Sequence, residues 1–312
     1  MIAGPLRQLL ATELDQPAPP AARAMAQELA SRGGEATIAV LYYGSALRAG
    51  SLDGILDFYV LLDDVRAWPG SFLARFANRV LPPNVGYMEF QHAGQTLRAK
   101  FAVLSRGQFA QRVTTASLDT TIWARFSQPA LLVWSRSVAD HDAAVGLVAA
   151  AVGCAASWAA RLGPVQGRAE EFWRALFART YAAELRVETQ SRAQDIIGKA
   201  PERYAQLLPL AWKDAGIAYR QNGDATLAPT LSPAQRDRAR SSWAWRARLG
   251  RPLNIVRLLK ASFTFEGATD YAAWKVERHS GVHVEVAPWQ RRFPMLAAPV
   301  FYWKLRRRGV IK

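Results

Sequence analysis

Apolar positions along this chain change period from segment to segment. Residues 5–32 space them as two helices would, with the Pro-rich QPAPP between the two pieces. Thr37–Tyr43 (TIAVLYY) is an unbroken apolar and β-branched run that stops at Gly44-Ser45, which predicts a buried strand feeding a tight turn. Leu56–Leu62 repeats the pattern and stops at Asp63-Asp64. Residues 71–80 read as a helix, and Pro82-Pro83-Asn84 as a turn. Gly86–His92 and Gln95–Leu104 flank Ala93-Gly94 as a hairpin would. Leu131–Trp134 predicts another short strand. From about residue 140 to 213 the pattern is helical and rich in Ala, whereas residues 221–240 are polar with Gly and Pro.

At 312 residues the chain exceeds one typical domain. The expected class is α/β (α+β), a mixed sheet with helices over residues 1–138. A helical domain over 139–220, a linker over 221–242 and a tail over 243–312 follow. Its single cysteine, Cys154, excludes an internal disulfide and a cysteine-based zinc site. In an Ala-rich helix it reads as a packing residue.

Charge changes the picture. Lys+Arg number 40 against 25 Asp+Glu, a net of +15, so polyanions are the expected partners. From Trp243 to Lys312 there are 14 Lys/Arg, 4 Asp/Glu and 5 of the 11 tryptophans. Pro288–Leu296 and Phe301–Arg308 interleave bulky apolar and basic side chains, a composition suited to an anionic membrane surface. Neither apolar stretch reads as a membrane span. Ala143–Ala160 is uncharged but mostly Ala and Gly, and Phe293–Trp303 is too short and holds two prolines. The opening MIAGPLRQLLATELDQ does not read as a secretory signal.

The chemistry-bearing segment is Tyr43-Gly44-Ser45 followed by Asp57 on the next strand. Glycine lets backbone approach a triphosphate, a serine hydroxyl can bond it, and a strand-borne acid can hold Mg²⁺. That is the layout of polymerase-β-type nucleotidyltransferases, whose acids form an Asp-x-Asp pair. Here the positions two before and two after Asp57 are Ile55 and Tyr59. His279 and His283, near Glu277 and Glu285, sit in an alternating Val282, Val284, Val286 pattern that predicts a strand and separates the histidines.

Longer stretches resemble the mitochondrial-type phosphatidate cytidylyltransferases, the CDP-diacylglycerol synthases of the translocator assembly and maintenance family. Tyr43-Gly44-Ser45, Leu56-Asp57-Phe58, Asp63-Asp64 and Trp68 are similar to its Tyr-Gly-Ser-Gly, Leu-Asp-Phe, Asp-Asp and Trp positions. Leu97–Ser105 resembles its Lys-Tyr-Gly-Val-Ile-Ser strand, with Lys100 on the lysine. Arg125–Pro129 and Tyr181–Arg186 resemble two further segments. Departures are Ala46 for the third turn glycine, Gln128 for a lysine and Glu184 for an aspartate.

The resemblance implies a nucleotidyltransferase-like sheet, a winged-helix-like helical domain, and Mg²⁺-dependent transfer from CTP to phosphatidic acid. In that scheme Tyr43, Gly44, Ser45 and Arg125 bind nucleotide, Asp57 and Lys100 are catalytic, Asp57 holds the metal, and Arg186 takes phosphatidate. Asp53, Glu89 and Glu184 are candidates for a second metal ligand. The expected location is the cytoplasmic face of a bacterial inner membrane, attached peripherally, with no nucleic acid as partner. Two alternatives stand: transfer to another phosphate or to RNA, and an inactive lipid-binding scaffold.

Overall fold

The computed structural model describes residues 4–50, 54–183, 195–223, 225–281 and 285–292. In chain order the elements are α1 (Pro5–Leu14), α2 (Pro20–Gly33), β1 (Thr37–Tyr43), α3 (Ser45–Ala49), β2 (Ile55–Leu62) and α4 (Phe72–Val80). Next come β3 (Asn84–His92), β4 (Gln95–Ser105), α5 (Arg106–Arg112), α6 (Thr121–Phe126), β5 (Ala130–Ser135), α7 (Val138–Leu162) and α8 (Ala169–Ala183). The remainder is α9 (Pro201–Asp214), β6 (Tyr219–Gln221), β7 (Leu227–Pro229), α10 (Pro233–Thr264), α11 (Ala268–Ser280) and α12 (Pro288–Arg292). The class is α/β, as expected. β1 spans the expected residues, and β2 to β5 lie within a residue or two of theirs.

The chain forms two compact units, one of residues 1–18 with 105–255 and one of 19–104 with 256–312. The boundaries expected at 138, 220 and 242 do not coincide with this division. The cause is visible in the second unit, where the C-terminal segment pairs with the sheet. Tyr87 N donates to Glu266 O at 2.8 Å, Glu266 pairs with Arg32, and the rings of Tyr87 and Tyr271 lie 5.5 Å apart. In this unit the strands run in the order β3-β4-β2-β1. β1 pairs antiparallel with β2 and β3 with β4. Ile38, Val40, Phe58, Val60 and Phe101 fill its core beside α2, and Thr37 Oγ1 donates to Ala30 O at 3.0 Å.

The first unit is built around α7. That helix is long and apolar enough to cross a membrane, yet 72% of its most apolar window is buried within the protein. α1, α6, α8 and α9 pack on it. Trp212 Nε1 donates to Ala156 O at 2.8 Å, and Trp173 Nε1 to Tyr204 O at 3.0 Å, so these large side chains are buried with a polar anchor each.

The segment expected as a linker is structured. β6 and β7 pair antiparallel across it, and α10 starts at Pro233 because Ser232 and Gln235 cap each other reciprocally, at 3.2 and 2.8 Å. The tail expected from residue 243 begins inside the same helix. Trp243 and Arg246 are buried: Arg246 lies 4.5 Å from the Trp158 ring centroid and donates to the Ser117 carbonyl at 3.0 Å. Charge at that point serves packing, and residues 293–312 lie outside the described ones. His279 lies in the last turn of α11, which ends at Gly281 in a left-handed cap, and not in the expected strand, while His283 lies outside the described residues.

Candidate active site

β1 and β2 place Tyr43 opposite Asp57. The turn that follows β1 is set by Gly44, at φ +99°, where a Cβ would lie 2.5 Å from Asp57 Oδ2. Glycine is required because backbone passes directly against that carboxylate. Ser45 then opens α3 and is exposed. On the neighbouring strand Lys100 stands opposite Tyr87 in the β3–β4 register.

These residues line a cleft of about 540 Å³ with Ser45, Asp57 and Lys100 on its sheet side. The other wall is α11, which contributes Tyr271, Trp274, Lys275 and Arg278. The guanidinium of Arg278 sits 5.2 Å from the Trp274 ring centroid. Asp57 is the one carboxylate among the lining residues, against three cations. Its charge reaches Tyr42: burial first, and then Asp57, push that phenol up to about 12.

The structure therefore brings Ser45, Asp57 and Lys100 together, with Gly44 fixing the turn. Tyr43 is half-buried and stacks edge-on with Tyr59, ring centroids 5.3 Å apart. Arg125 belongs to the first unit, in the last turn of α6. Arg186, Glu184 and Asp53 lie outside the described residues. Glu89 does not join Asp57, since its carboxylate accepts from Tyr87 Oη at 2.7 Å and Arg98 Nε at 3.1 Å. Among the described residues no group of three or more His, Cys, Asp or Glu is placed to hold a metal. One carboxylate does suit Mg²⁺, which binds through one or two carboxylates plus substrate phosphates.

The α11 wall escaped sequence reading. Its signal was there, since Tyr271, Trp274, Lys275 and Arg278 follow i, i+3, i+4, i+7 on one helical face. What hid it was a basic, aromatic tail being read as one membrane-facing block.

No protein-family model matches this chain, and no curated protein matches it in sequence. Among solved structures it is similar to a nucleotidyltransferase-like protein from Exiguobacterium sibiricum 255-15. The identity is 12% and the TM-score 0.26, over 78% of this chain and 77% of that one.

Proposed function

We propose that the cleft binds CTP and transfers its cytidylyl group to phosphatidic acid, forming CDP-diacylglycerol and pyrophosphate at a membrane surface. The observation that carries this reading is the lining of one cleft, where a lone carboxylate faces Lys100, Lys275 and Arg278 beside an aromatic ring. A triphosphate needs cations, a base needs a flat apolar partner, and a metal shared with phosphates needs few protein carboxylates. The sequence resemblance over the turn, β2 and β4 supports the same assignment.

In this scheme Ser45 donates to a phosphate oxygen, and Lys100, Lys275 and Arg278 neutralise the phosphates. Trp274 stacks on the base. When bound, magnesium is held by Asp57 together with the triphosphate and supplies further charge neutralisation. The attacking lipid phosphate is already anionic, so positioning and electrostatics suffice without a general base. Arg125 and Arg186 remain candidates for nucleotide and head group, and peripheral attachment at the inner face of a bacterial membrane follows from a lipid acceptor.

The test is label transfer from α-³²P-CTP into lipid, with phosphatidate vesicles and Mg²⁺, for wild type and Asp57→Asn. Transfer by wild type alone supports the reading. Transfer to RNA in preference to lipid, or transfer undiminished in Asp57→Asn, overturns it.

A further inference from the structure

α4 presents its apolar face to solvent. Phe72, Leu73, Phe76 and Val80 are 79, 57, 56 and 65% exposed. The inward side instead carries Ala74 and the buried Asn78, whose Nδ2 donates to Val103 O at 3.0 Å. Asn84 Nδ2 donates back to Ala74 O at 2.8 Å. The helix is thus held by polar bonds on one side and leaves its aromatic stripe exposed on the other.

The last turns of α10 lie beside it. Lys260 Nζ donates to the carbonyls of Leu81 at 2.7 Å and Pro83 at 2.6 Å, just past the end of α4. There Val256, Leu259 and Phe263, spaced i, i+3, i+7, are each more than half exposed. Exposed apolar patches of this kind mark interaction sites.

Charge selects the partner. α4 carries Arg75 and Arg79, residues 256–264 carry Arg257 and Lys260, and neither segment has an Asp or Glu. The acids nearby, Glu266 and Asp64, are paired with Arg32 and Arg66, so the apolar stripe keeps an excess of cations at its edge and complements an anionic bilayer surface. The same face on a second copy would set cation against cation in a self-complementary contact.

We propose that α4 and α10 from Val256 to Thr264 dock this protein on anionic lipid, with Phe72, Phe76 and Phe263 entering the head-group boundary. The proposal deepens the lipid-acceptor reading above, but its test uses no nucleotide. Full-length protein is sedimented with phosphatidylcholine vesicles with and without phosphatidylglycerol. Wild type binds the anionic vesicles, Phe72→Glu/Phe76→Glu binds at least about tenfold more weakly, and Arg75→Gln/Arg79→Gln also weakens. On a Cys154→Ala background, an environment-sensitive fluorophore at residue 76 shifts blue with anionic vesicles, and one at residue 234 does not. Thermal unfolding confirms that each variant is folded.

Unchanged binding by the double glutamate variant, or an unshifted label at residue 76, overturns the proposal. So does a concentration-dependent dimer that the glutamates abolish. CTP binding is measured separately without vesicles. Its absence beside intact vesicle binding would remove the nucleotidyl-transfer reading and leave the docking face standing.

Discussion

The backbone of Gly44 lies against the carboxylate of Asp57, so closely that a methyl group on its Cα would meet Oδ2 at 2.5 Å. The sequence reading gave this glycine to a phosphate. The structure gives it to the acid, which the turn holds in the wall of the cleft.

Gly44→Ala is therefore expected to cost about 2–3 kcal/mol, from the positive φ and the overlap with Asp57 together. Gly50→Ala is the control, since Gly50 also has a positive φ, +63°, but open space around it. It should cost about 1 kcal/mol. Urea unfolding of both variants measures the difference, and equal losses would deny the close approach any weight.

The cations and the indole ring of the α11 wall should separate in binding experiments. Lys275→Met and Arg278→Met are each expected to weaken CTP and pyrophosphate binding about tenfold or more. Trp274→Ala should weaken CTP, by the ~1–3 kcal/mol of a base stack, and leave pyrophosphate nearly unchanged. Titration calorimetry with both ligands reads this. A Trp274→Ala variant that loses both equally would place the ring in structure rather than on the base.

Arg246 is 3% exposed, lies against Trp158 and donates to the carbonyls of Thr115 and Ser117. Lysine keeps the charge but not the planar fork, so Arg246→Lys should lower stability by about 2 kcal/mol. Guanidinium unfolding checks it. If this part of the chain instead served only a membrane surface, the substitution would leave stability unchanged.

Alkaline pH should destabilise the protein through two buried acids. Burial raises the Cys154 thiol from 9.0 to about 12, and burial with the Asp57 charge raises Tyr42 from 10.0 to about 12. Both are neutral when protonated, so the unfolded chain loses its protons first. Their stabilising contribution is full below about pH 9 and falls as pH rises toward 12. Unfolding free energies across that range should decline, with less decline in Cys154→Ala. At pH 8 the native thiol should resist a thiol reagent that modifies it after unfolding.

The sequence by itself determined the strands and the turn that opens the cleft, because those patterns are local. A run such as TIAVLYY is buried wherever it goes, and its end at Gly44 is written beside it. Asp57 was legible as an acid on a readable strand, and Lys100 only through the resemblance of the strand that carries it. Only tertiary structure decided that the end of α10 and α11 complete the sheet's unit. The bond from Tyr87 to Glu266 joins positions far apart in the chain, and no local period encodes such a pairing. Trp243 and Arg246 read as part of a membrane-facing tail until packing buried them, while Phe72 and Phe76, legible only as helix positions, are exposed. Hydrophobicity specifies that a side chain leaves water, and the fold decides which neighbour takes its place.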